Sequence, residues 1–162
     1  MNLFIHLNFG GNCESAFRFY LKHLGGTITM IIKKSQMMPA HSAEQAGQED
    51  GVAHARMRDA GVELVGNDVP ADRFMPIRSS YLFLALDSAE DAERVYGVLA
   101  EEGKVSMPTV ETPFASRFAQ LRDKFRVLWT IIHQPPRSNE RPGSLKFRDL
   151  AQEQRLPSAL TP

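Results

Sequence analysis

Apolar residues recur at helical spacing in two stretches of this chain and at strand spacing around them. Phe17, Leu21 and Leu24 stand at i, i+4 and i+7, Asn12 sits where a cap belongs, and Gly25-Gly26 ends the run, so the spacing predicts a helix from Cys13. Ser88 and Asp91 have capping-box spacing ahead of Ala92, Val95, Tyr96 and Leu99, and Gly103 closes that second helix. Strand-like runs cover 3–9 before the first helix and 27–32, 52–57 and 62–65 after it. The second helix is preceded by 81–86 and followed by 104–110, 116–121 and 127–132. Strand, helix and three strands therefore occur twice, and the caps Asn12 and Ser88 lie 76 residues apart. Each half is too small to bury both its sheet and its helix alone, so the pattern predicts one α+β domain of two βαβββ modules with a shared core.

Two connections are long for such a domain: 33–51, with Met37-Met38-Pro39, and 67–79, with Asp68, Pro70, Phe74, Met75 and Pro76. They read either as binding loops or as tolerated insertions. Pro135-Pro136 stops the last strand, and residues 137–162 carry five basic and three acidic side chains with Leu145, Phe147, Leu150 and Leu156 scattered among them. The expected organisation is a domain over 1–134, with modules about 1–68 and 79–134, and a flexible tail over 135–162.

Composition removes several function classes. The 162 residues are 43% hydrophobic, and 19 Lys and Arg balance 19 Asp and Glu, which argues against a general nucleic-acid binder. No apolar run approaches the roughly 20 residues that cross a bilayer, and the start of the chain does not read as a secretory signal. A cytoplasmic protein with no membrane partner is the expectation. The single cysteine, Cys13, excludes an internal disulfide and a cysteine-rich zinc site. At a helix start it reads either as an activated thiol or as a small buried apolar side chain. Glycine-rich nucleotide turns, a P-loop and a nucleophile elbow do not occur in the sequence.

Asn8-Phe9-Gly10-Gly11-Asn12-Cys13-Glu14-Ser15-Ala16-Phe17, followed by Phe19-Tyr20, resembles the opening of PhnB-like proteins. These belong to the vicinal oxygen chelate superfamily, which holds the glyoxalases, bleomycin-resistance proteins and extradiol dioxygenases. The resemblance continues through His54-Ala55-Arg56, Asp68 and Pro70, and Ala92-Glu93-Arg94. It resumes at Glu102-Gly103-Lys104-Val105-Ser106-Met107-Pro108, Glu111-Thr112, Ala115 to Phe118 and Asp123-Lys124-Phe125, and spans roughly 3–133. It implies the same βαβββ repeat, curled around a ligand cleft, and a homodimer. It also implies a divalent metal (Zn, Ni, Mn or Fe) held by His, Glu or Gln on the first and last strands of each module, acting as a Lewis acid. The methyltransferase label carried by some relatives finds no sequence support.

Placed on the strands, the resemblance makes His6, His54 and Glu63 the metal candidates of the first module. The second module offers little, since Thr130 falls where the metalloenzymes carry a glutamate. Alternation sets His6 and Asn8 on one face of the first strand and His54 and Arg56 on one face of the third, as candidate ligand-binding residues. Glu111 and Arg117 are expected on neighbouring strands, as an anion clamp or a structural ion pair. Tyr81, Phe83, Phe114 and Trp129 offer rings for stacking a planar ligand. No catalytic group is assigned, and the functional reading divides in three. One branch is metal-assisted lyase, isomerase or oxygenase chemistry on a small organic molecule; the second is metal-free binding or sequestration of one, as in drug resistance; the third is a degenerate paralogue kept as an interaction partner. The departures from the family pattern include Arg126, which replaces a turn glycine and is strained if its φ is positive.

Overall fold

Two four-stranded sheets, each with a helix against one face, account for nearly all the regular structure in the computed structural model, which describes residues 4–37, 50–59 and 62–135. The first module runs β1 (Ile5–Phe9), α1 (Cys13–Leu24), β2 (Thr27–Lys33), the single turn α2 (Lys34–Met37), β3 (Val52–Asp59) and β4 (Val62–Asp68). The second runs β5 (Leu82–Leu86), α3 (Ala89–Ala100), β6 (Lys104–Thr112), β7 (Ala115–Arg122) and β8 (Leu128–His133). Their strand orders, β1-β4-β3-β2 and β5-β8-β7-β6, are the same topology used twice. The first strand of each module lies parallel to the last and the remaining pairs are antiparallel. The α+β class and the βαβββ repeat thus stand as the pattern predicted. Most of the 33–51 connection and all of the tail beyond Pro135 lie outside the described residues.

Strands β2, β3, β4, β6 and β7 run longer than predicted, whereas β1 and β5 are shorter. β4 continues to Asp68 because Asn67 and Asp68 still pair with Asn8 and Phe9 across the parallel ladder. Helix α3 buries Ala92, Val95 and Leu99, as its spacing selects, whereas α1 buries Cys13, Ala16, Phe17 and Tyr20, and of its predicted stripe Leu21 and Leu24 are only partly buried against the core. Gly66 lets α1 approach its sheet: a Cβ there would stand 2.6 Å from the Phe17 ring. Ser88 caps α3 by accepting from the Asp91 N–H, as predicted. The Asn12 side chain makes no such bond. Its place is taken by Asp68 from β4, whose Oδ1 accepts from the N–H groups of Gly11 and Cys13.

Among the described residues the modules meet through their helices, one turn and the 69–81 segment, and no ladder joins the two sheets. Tyr20 and Phe19 of α1 pack edge-on against Phe125 in the β7–β8 turn, and Tyr20 also meets the Trp129 ring. Tyr20 donates its hydroxyl to Asp123 at 2.6 Å. Arg94 of α3 donates to the His23 carbonyl near the end of α1, one of the acceptors a helix C-terminus leaves open. The 69–81 segment bridges the modules instead of standing free: the Phe74 ring lies over Gly10 and under the Arg126 guanidinium. Arg126 has φ +71°, so the strain expected of a side chain in place of the turn glycine is present.

Cys13 is fully buried, and burial, reinforced by the nearby Asp68 carboxylate, pushes its thiol far above the usual range. The apolar alternative for this residue therefore holds, and the helix-start activation is outweighed by desolvation. Ellman's reagent should leave the native chain unlabelled and take up one equivalent in guanidinium chloride.

Candidate functional site

Among the described residues each sheet has one face packed on its helix and one face that no helix covers. On the first sheet the uncovered face is set by alternation and register: Phe4, His6 and Asn8 beside β1, Glu63, Val65 and Asn67 on β4, and His54, Arg56 and Arg58 on β3. On the second it carries Tyr81 and Phe83 beside and on β5, Leu128, Thr130 and Ile132 on β8, Phe118 and Gln120 on β7, and Met107 and Val110 on β6. Val65, Leu128 and Ile132 are only 6%, 5% and 2% exposed, yet they lie outside the cluster that forms the core. In register Val65 lies between His6 and Arg56, and Ile132 lies beside Phe118, so longer side chains flank the central strand of each uncovered face, its trough.

The two troughs differ in chemistry. The first is polar. Glu63 is buried, and both of its oxygens face arginines: Oε1 stands 2.8 Å from Arg56 Nε and Oε2 3.2 Å from Arg58. The Arg56 N–H does not point along its contact, so that pair attracts as charges rather than as a hydrogen bond. The Arg56 guanidinium also lies 5.5 Å from the centre of the Phe4 ring. His6 Nε2 is hydrogen-bonded to Asn67 Oδ1 at 2.5 Å, and Asn8 stands across from Asn67 in register. The second trough is apolar and aromatic. Phe83 is 65% exposed, Phe114 in the β6–β7 turn meets Phe118 edge-on at 5.5 Å, and the main polar contact on the trough floor is a Gln120 bond to Thr130.

Sequence reasoning turned His6, Asn8, His54 and Arg56 toward one cleft between the modules and offered Tyr81, Phe83 and Phe114 as rings of the same cleft; the structure sets the polar group and the rings on the uncovered faces of different sheets. It does not assemble the expected metal cluster. Among the described residues no three His, Cys, Asp or Glu side chains converge to hold an ion. Glu63 is engaged by two guanidinium groups, and the ring nitrogen of His6 that faces β4 is engaged by Asn67. The residues present therefore do not fit the metal that the family resemblance implies.

Two further expectations are corrected. Trp129 does not face a trough: it lies in the core, 3% exposed, and donates its indole N–H to Asp123 at 2.9 Å. Arg117 does not clamp Glu111 in a cleft. Its side chain turns to the helix side of β7 and pairs with Glu93 of α3 at 2.5 Å, while Glu111 stands exposed on the edge strand β6. Sequence reasoning also missed Arg58, which the antiparallel register sets directly opposite Glu63.

The family model described as Glyoxalase/Bleomycin resistance protein/Dioxygenase superfamily matches residues 5–131. Protein YjdN of Escherichia coli K12 is 30% identical over 145 residues, covering 84% of this chain and 99% of that protein. A crystal structure of a Pseudomonas aeruginosa protein superposes with a TM-score of 0.73 at 32% identity, over 83% of this chain and 98% of the other. A PhnB protein from Bacillus cereus matches with a TM-score of 0.70 at 25% identity, over 82% of this chain and 99% of the other.

Proposed function

The chain belongs to the Glyoxalase/Bleomycin resistance protein/Dioxygenase superfamily, and from that premise we propose that it binds a small organic molecule between the uncovered faces of its two sheets, through its own side chains rather than a resident metal. The observation that carries this reading is the contrast between the faces: one presents arginine and histidine, the other exposed aromatic rings. A molecule with a polar end and a planar apolar body would find a partner for each part. Among the described residues no hydrogen-bonded pairing brings the faces together within one chain. A second copy, laying its aromatic face over the polar face of the first, would close two equal clefts about a two-fold axis and cover the exposed rings. The reading is therefore of a homodimeric small-molecule binding protein, and no catalytic group is assigned.

The test is made on the full chain purified without a chelating tag. Elemental analysis should find only substoichiometric metal, while a mixed fragment library, followed by backbone amide shifts, should give saturable hits on β3, β4, β5 and β8. Stoichiometric Mn, Fe, Ni or Zn that is lost on His6→Ala and His54→Ala would overturn the metal-free reading in favour of a metal-assisted enzyme. Light scattering should give twice the chain mass, and Phe83→Glu should return the protein to monomer with an unchanged circular dichroism spectrum, because a charge cannot replace a ring in a closed apolar contact.

A further inference from the structure

We propose that Arg56 and His54 form the recognition point for an oxyanion, the carboxylate or phosphonate of the small organic ligand; this rests on the binding function proposed above and names the chemistry of one end of the ligand. Arg56 is held from two sides, by Glu63 at 2.8 Å and by the Phe4 ring at 5.5 Å, while no described residue hydrogen-bonds its two Nη atoms. Its position is set in advance and its forked outer edge is left for a partner, which lowers the entropy that binding must overcome. That edge matches the spacing of two oxygens on one carbon or phosphorus. His54 lies two residues along β3 on the same face, half-buried, with no hydrogen bond or ion pair to any described residue, and so adds a ring N–H donor.

The charge balance points the same way. Glu63 brings one negative charge and Arg56 with Arg58 bring two positive, so this part of the trough keeps a surplus positive charge even with its histidines neutral. Asn8 and Asn67 add no charge, and Asp68 is turned to the opposite side of β4, where three backbone N–H groups hold it. If the two arginines served only to neutralise Glu63, one would suffice. The surplus has a use when a second anion enters beside the first.

The full-length protein is titrated with benzoate, phenylphosphonate and the neutral isostere benzamide, with backbone amide shifts as the readout. The expected result is saturable movement of the β3 and β4 amides near His54 and Arg56 with one or both anions, and at least about tenfold weaker binding of benzamide. The better of the two anions identifies the oxyanion. Arg56→Lys keeps the charge but loses the fork, and should weaken the anion about tenfold without changing benzamide binding or the melting temperature. His54→Phe should weaken it less. If benzamide binds as well as benzoate, or if the anions move only amides of the second sheet, the oxyanion site is overturned while the small-molecule function stands. If no fragment of any kind binds, both fall together.

Discussion

Asp123→Ala is expected to destabilise the protein more than any other single truncation, by about 4 kcal/mol or more, a large share of the 5–15 kcal/mol that holds a domain of this size. The carboxylate is 3% exposed and accepts four hydrogen bonds. Oδ1 takes the backbone N–H groups of Phe125 and Val127 at 2.9 and 3.0 Å, closing the β7–β8 turn; Oδ2 takes the Tyr20 hydroxyl at 2.6 Å and the Trp129 indole at 2.9 Å. Alanine would strand four donors in an apolar core, each worth roughly 1–3 kcal/mol when left unpaired. One of them, Tyr20, comes from the other module, so the loss should also loosen the join between modules. Urea unfolding should record the lowered midpoint, and near-ultraviolet circular dichroism should record the freed Trp129 and Tyr20 rings. Tyr20→Phe removes one donor without orphaning Asp123 and should lose only about 1 kcal/mol.

Acid should treat this residue unusually. Burial raises the Asp123 carboxyl above its ordinary value, and the hydrogen bonds from Tyr20, Trp129 and the turn only partly oppose it. A carboxyl with a raised folded pKa binds more protons in the native state than in the unfolded one. Its contribution is therefore fully present below the unfolded value near 3.9 and is lost as pH rises through the folded one. Between pH 7 and pH 4 the stability gap between the natural protein and Asp123→Asn should widen, with the natural protein gaining relative to the variant. A gap that narrows over that range would mean that the hydrogen bonds, not burial, dominate the carboxyl.

What the sequence could and could not show follows from where parity is visible. His6-Leu7-Asn8-Phe9 and His54-Ala55-Arg56-Met57 alternate polar and apolar, so the face of each side chain could be assigned, and those assignments stand. Leu128–His133 has no such alternation, because β8 is buried on both faces, and nothing in it shows which side Trp129 takes. Only the ladder settles that: Trp129 stands across from Leu82 and Leu121, both of which point into the core. Arg117 went astray for a different reason. Its partner Glu93 lies on a helix that reaches β7 only after folding, and no local spacing announces the pair. Arg58 was a legible miss, since only two residues separate Asp59 from Val62 and the register then sets it opposite Glu63. The metal expectation came from the family rather than from these residues, and the arginines engaging Glu63 are what separate this chain from it.

Asp68→Ala should be the second most damaging change, lowering stability by about 3–4 kcal/mol, and its effect should begin at one place. Asp68 ends β4 on the face turned toward α1. Its Oδ1 accepts from Gly11 and Cys13 at 2.9 and 3.0 Å, and its Oδ2 from Val52 at 2.8 Å. One carboxylate thus ties the end of β1, the first turn of α1 and the start of β3, and its charge lies at the positive end of the helix dipole. An asparagine in its place would keep a single carbonyl acceptor and lose the charge, so Asp68→Asn should recover only part of the stability. Cys13 reports the site directly. Without Asp68 its thiol is still desolvated, so a chain that stays closed will not react with Ellman's reagent even though the nearby negative charge is gone. Labelling of Cys13 in Asp68→Ala, at urea concentrations well below the unfolding midpoint, would mean that the first turn of α1 opens before the rest of the domain. Labelling that tracks global unfolding would mean instead that Asp68 stabilises the whole fold and α1 has no local opening of its own.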